Sequence, residues 1–327
     1  VRIPCNISIV LAAAILILPA TLAKSALGSP VAQTGARGIG MNDPYRSELF
    51  RVRGVPSITI HTLAGEIEVI RNPELQGVQV DLYVDHSFSF WSRSRSLDDY
   101  RIIFQQNGNQ IVASVEDIRS GKRVHYPGST NFTFIVQIPG DEASLNLRSI
   151  NGDISVKGFS GNHYIQNHAG NLYLENVEGE VRAASTAGNI ELLDSEGVLF
   201  ANSISGSIYV EGAKGEIRLR SISGNVESRN ISGTLVAAST SGNIYSDFRN
   251  VTQGIHLETV SGDLELIIPG RLGYSVDARG SEFDFQNLDL TIHNRDFRTE
   301  HTSFVLRDGT IPIHVSTVSG RIKIRER

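Results

Sequence analysis

Residues 152–241 read GDISVKGFS GNHYIQNHA GNLYLENVE GEVRAASTA GNIELLDSE GVLFANSIS GSIYVEGAK GEIRLRSIS GNVESRNIS GTLVAASTS. Glycine stands at eleven successive positions nine apart, from Gly152 to Gly242. Counting each glycine as position one, the third position is apolar (Ile154, Leu172, Val181, Ile190, Leu199 and onward), with His163 as the exception. The fifth is apolar or small, and the fourth and sixth are mostly polar, charged or aromatic. Such alternation over about five residues marks a half-buried strand. Positions seven to one hold Gly, Asn, Ser and Asp, residues that build turns, and glycine at a corner opens backbone angles closed to other residues.

A nine-residue strand and turn cannot bury its apolar face alone. Stacking like units gives a thin continuous core. The second position distinguishes two halves: Asp153, Asn171, Asn189, Ser207, Asn225 and Asn243 on one, Asn162, Glu180, Val198, Glu216 and Thr234 on the other. The true repeat is therefore 18 residues, and the amide column is expected to hydrogen-bond along the stack. The expected fold is an all-β, parallel β-solenoid (β-helix) with 18-residue two-strand coils, wound right-handed by crossover chirality and capped by irregular β regions. A hexapeptide solenoid would need apolar residues six apart, yet Ile154 is followed by Ser160 and Gln166.

Working outward, the register slips after Gly242 around Asp247–Gln253, and Gly254 and Gly262 are expected to continue the pattern. A last copy, STVSGRIKI, holds Gly320, and an early one follows Gly65. The stretch His86–Asp99 reads as a loop. Boundaries follow: 1–28 signal peptide, 29–48 linker, 49–145 N-terminal β region and cap, 146–269 regular solenoid, and 270–327 C-terminal β cap with the final coil. The first segment has Arg2, an apolar run Ile7–Leu18, Pro19 and small residues, which reads as a secretory signal cut after Ala23 or Gly28. Left uncleaved it would be a membrane anchor, the only membrane contact expected. Either way the folded part is extracytoplasmic: periplasmic, cell-surface or secreted.

The 327 residues carry a formal charge of −5 and are 40% hydrophobic, a globular composition. No basic patch points to nucleic acid. The single cysteine, Cys5, lies in the leader, so the mature chain has no thiol for disulfides, catalysis or metal.

The early LAGEIEV copy at 63–69, the FIVQIPG and LRSINGDISV segments at 134–156, the repeated SGN or SGD steps, IIPG at 267–270 and the closing STVSGRIKI resemble a large bacterial family of β-strand-repeat proteins of unknown function, provisionally labelled adhesins. The resemblance implies a surface or periplasmic location and a binding role, and supplies no catalytic residues.

No cofactor motif is present, and the single glycine per unit differs from calcium-binding nonapeptides. His163 and His168 are expected to form a partly buried, hydrogen-bonded pair. One outward column, Tyr173, Glu191, Tyr209, Glu227 and Tyr245, alternates aromatic rings with carboxylates. Such a row could stack on sugar rings or on a partner surface, or simply pair across strands. Its carboxylates are expected to stay solvated, with nothing to raise one as an acid. Three roles follow in order of support. The first is a non-enzymatic, adhesin-like binding scaffold for a glycan, the envelope or a protein. The second is a structural self-assembling envelope component, joined through solenoid ends. The third is a polysaccharide-active enzyme.

Overall fold

The third and fifth positions face inward throughout. Ile154, Leu172, Val181, Ile190, Leu199 and Ile208 are all buried and belong to one continuous hydrophobic cluster. The structure, a computed structural model, describes residues 43–86, 96–118, 130–286, 288 and 301–327. The expected signal peptide, most of the linker and most of the His86–Asp99 loop lie outside the described residues. Within them the protein is all-β, a long, mostly parallel array of 24 strands.

Two ladders run side by side. The short-strand ladder contains Ile154–Lys157, Leu172–Glu175, Ile190–Leu193 and Ile208–Glu211, then the first parts of Val226–Ser239 and Ile244–Ser261. Its strands are parallel, with Leu172 opposite Ile154 and Ile190, and Ile190 opposite Ile208. The long-strand ladder contains Ser144–Asn151, Ser160–Ala169, Glu178–Ser185, Glu196–Ser203 and Lys214–Ser221. It too is parallel, with Val181 opposite His163 and Leu199. In both, a residue pairs with the one 18 positions on, so each inward side chain lands on its counterpart in the next rung.

The flanks extend both ladders, but out of sequence order. Ser57–Ala64 and Ile67–Arg71 pair parallel with Ser144–Asn151 and Ile154–Lys157. On their other side lie Gln110–Asp117 and Thr130–Ile138, also parallel. The early rung is thus held between two later ones. Antiparallel strands Tyr100–Asn107, Val78–His86 and Arg46–Phe50 close that end. The last of these begins inside the stretch read as linker, because its Phe50 is buried against the core. The other end mirrors this. Ile311–Ser319 and Arg321–Glu326 sit directly on Ile244–Ser261 and Leu264–Ile268. Tyr274–Arg279 and Glu282–Gln286, earlier in sequence, lie outside them. The STVSGRIKI copy is therefore an interior rung.

Two glycine columns mark the corners. At Gly188, Gly206, Gly224 and Gly242 an added Cβ would run into the carbonyl of the glycine one rung before. None of these four has a left-handed φ. The requirement at these four is close approach of backbones, whereas Gly161, Gly179, Gly197, Gly215 and Gly233 in the other column meet the same contact and also hold the positive φ expected from sequence. Gly262 extends the first column onto Gly242. Gly254 does not extend the other: Val251 stands opposite Gly233, after register shifts through the 247–253 insertion. Val251 and Phe248 are buried there and fill the widened rung.

Candidate functional site

The outward face of the short-strand ladder carries the residues singled out from sequence. Tyr173, Glu191, Tyr209, Glu227 and Tyr245 follow one another in register, one per rung, since the fourth position of every unit points away from the core. All five are half-buried. The column continues through Glu265 to Lys323. Rungs lie about 4.8 Å apart, so the tyrosines recur at about 9.6 Å.

Each tyrosine is held by its neighbours. The Tyr209 hydroxyl donates to Glu211 Oε2 at 2.5 Å. Burial first, then that hydrogen bond, pushes its pKa up. Burial, then Asp153, raises Tyr173, and burial, then Asp247, raises Tyr245. The Arg229 guanidinium lies 5.2 Å from the centre of the Tyr245 ring and its Nε donates to Glu227 Oε1 at 2.5 Å. Beyond, Lys323 and Arg325 each reach Glu265 at 3.3 Å. The three phenols therefore stay neutral, with the Tyr209 and Tyr245 rings fixed across the ladder.

Glu191 departs from the expectation that these carboxylates stay solvated. Burial between Tyr173 and Tyr209 raises its pKa, and Glu211 adds to the rise. The sequence misjudged it because flanking ring size, not strand position, sets its exposure. A raised carboxyl is what a glycoside hydrolase acid requires. Its partner two rungs on, Glu227, is tied to Arg229, and Tyr209 stands between the two in register.

Two polar columns fix the corners beside this face. Asn171 N–H donates to Asp153 Oδ1 at 2.7 Å, Asn189 N–H to Asn171 Oδ1 at 3.0 Å, and Ser207 N–H to Asn189 Oδ1 at 2.9 Å. The pattern recurs through Asn225, Asn243 and Asp263. The amide column thus bonds side chain to main chain, rather than amide to amide. The second column was missed: Ser203, Ser221 and Ser239 are buried and donate to the carbonyls of Gly188, Gly206 and Gly224 at 3.0–3.2 Å. The signal was available as a serine or threonine three residues before the glycines of that corner, with Asn167 in its place before Gly170, but it reads as ordinary turn composition.

The histidine pair does not form. His163 points into the core and is 2% exposed, with neither ring nitrogen in a hydrogen bond. His168 lies on the exposed side. Five residues apart in one strand, they face opposite ways by strand alternation. Among the described residues, no three His, Cys, Asp or Glu side chains converge to hold a metal ion.

An all-β chain with two parallel ladders, glycine corners and an 18-residue register is a β-strand-repeat protein. The chain belongs to the Toastrack DUF4097 family, whose profile matches residues 85–325. It is also similar to two solved structures. One is from Bacteroides fragilis NCTC 9343, provisionally named an adhesin: 11% identity over 85% of this chain and 96% of that one, TM-score 0.37. The other is from Clostridium sporogenes ATCC 15579, provisionally named a cell adhesion protein: 8% identity over 86% of this chain and 98% of that one, TM-score 0.24. No curated protein matches the sequence.

Proposed function

We propose that the protein is an exported, non-enzymatic binding scaffold that presents its tyrosine column to a glycan or to an envelope or surface protein. One observation carries this reading: Tyr173, Tyr209 and Tyr245 recur at every second rung of one outward column, with the Tyr209 ring pinned by Glu211 and the Tyr245 ring by Arg229. Rigid, evenly spaced rings lose little freedom when a partner stacks on them. In the same reading the ladders wind as right-handed two-strand coils. Residues 1–28 are a leader, 29–48 a linker, and 49–145 and 270–327 are caps on a solenoid at 146–269. The scaffold works outside the cytoplasm.

The test is a binding screen of the purified protein against glycans and envelope fractions, repeated with Tyr173→Ala plus Tyr209→Ala. Loss of two stacking contacts is expected to weaken a hit by about tenfold or more. Unchanged binding by the double variant would remove the tyrosine face from consideration.

A further inference from the structure

The two outward faces carry opposite charge on the same period. On the long-strand face, the second, fourth and sixth positions from Ser144 to Ala238 hold Arg148, Arg182, Arg218 and Arg220 against Glu180 and Glu216, with Glu178, Glu196 and Lys214 at the starts of the strands. On the short-strand face, the fourth and sixth positions from Ser155 to Arg229 hold Glu175, Glu191, Glu211 and Glu227 against Lys157, which pairs with Glu175, and Arg229. The pattern is matched rung for rung. One face reads Arg182, Phe200, Arg218 in successive rungs, and the other reads Glu191, Tyr209, Glu227. In each, like charges lie two rungs apart with an aromatic ring between.

The charges are also available, apart from Glu227, which an incoming arginine would share with Arg229. Arg182 and Arg218 stack on Phe200 at 4.5 and 5.6 Å and are 53% and 55% exposed. Their partners within the chain, Glu180 and Glu216, are exposed pairs of the kind worth about 0–1 kcal/mol. Arg220 is exposed and pairs with no carboxylate among the described residues, and Glu191 pairs with no cation there. Glu191 is also disfavoured as a charge where it stands, so a cation brought over it would be rewarded.

We propose that copies of this chain associate face to face, the arginine face of one covering the glutamate–tyrosine face of the next. Arg182 then meets Glu191, Phe200 meets Tyr209 and Arg218 meets Glu227. The contact joins two different surfaces, so it does not close on itself and builds an open stack. Five rungs by five residues cover about 400 Å² per copy, which puts the contact among weak, reversible ones. This proposal stands apart from the glycan reading. It uses the same tyrosine face, and so the two occupants would compete.

Sedimentation velocity on the purified protein, up to about 1 mM and at about 20 and 500 mM NaCl, tests it. The wild type is expected to form a concentration-dependent series at low salt that dissolves at high salt. Arg182→Glu plus Arg218→Glu is expected to be monomeric, as is Glu191→Arg plus Glu227→Arg. Mixed together, the two variants should associate again, since the two intact faces fit each other and so do the two reversed ones. Circular dichroism matching wild type shows that both variants fold. Association that persists in either variant alone, or failure of the mixture to pair, overturns the proposal. So does a wild type that stays monomeric while an immobilised polyuronate retains it through Arg182 and Arg218, which would assign that face to an anionic glycan. A positive glycan screen with intact Arg182 variants leaves the function reading standing whichever way this experiment falls.

Discussion

His163 occupies an inward position filled elsewhere by Ile, Leu or Val, between Leu145 and Val181 in the ladder. Burial pushes its pKa down, and the nearby Phe159 main chain opposes this only in part. The sign of its effect on stability follows. Below about pH 6.5 the unfolded chain takes up a proton that the fold refuses, so acid destabilises the protein. His61, lowered by burial first and by Arg148 second, acts in the same direction. His163→Leu removes an unsatisfied buried ring and is expected to raise the unfolding free energy by about 1–2 kcal/mol at neutral pH. The gain over wild type should widen toward about pH 5, as measured by urea unfolding across that range. At this scale the sequence was a good guide to which way each side chain points and a poor one to what surrounds it. Strand alternation places His163 inward and Glu191 outward. Whether Glu191 meets water depends on the rings one rung above and below, which are 18 residues away in the chain.

At the scale of the strand and its corner, the controlling dimension is the rung spacing. Parallel strands approach closely enough that the corner backbones touch, and the glycine columns exist to permit it. Gly206→Ala would place a methyl group inside the Gly188 carbonyl without any φ penalty. Gly158, by contrast, has φ +80° with open space around its Cβ position. Gly206→Ala should therefore push rungs apart, lose about 3 kcal/mol and weaken amide-exchange protection in both neighbouring strands. Gly158→Ala should lose about 1–2 kcal/mol from backbone strain alone and leave neighbouring protection unchanged. Equal, local effects from both would show that conformational freedom, not contact, is what the corner demands. Periodicity made the strands and the 18-residue register legible, because glycine and the third position repeat within one local window. The second corner was misplaced at Gly254 because an insertion leaves the glycine spacing plausible while Val251 takes the rung.

Across the whole molecule, the order of rungs departs from the order of the chain at both ends. Nothing in the flanking segments announces this, since any alternating strand can dock on any exposed ladder edge and the choice is made by partners distant in sequence. The early rung Ser57–Arg71 pairs with residues about 87 positions later. Deleting 311–327 would remove the rung that joins Tyr274–Gln286 to the regular stack. Limited proteolysis is expected to cut the deleted variant within 270–310 first, while Ile154–Ser221 stays protected by its own neighbours. Uniform resistance throughout would mean the outer rung can dock directly on Ile244–Ile268.

That inversion also sets a timetable. As the chain is made, the segment at 57–71 must wait for residues 110–138 to gain a partner on one side and for 144–157 on the other. At the far end, 274–279 can pair with 301–306 as soon as that strand is made, but neither it nor 282–286 joins the stack until 311–326 slides in beneath. The stack is thus locked from within by its latecomers, and a nascent chain keeps an open, sticky ladder edge almost until synthesis of these segments is over.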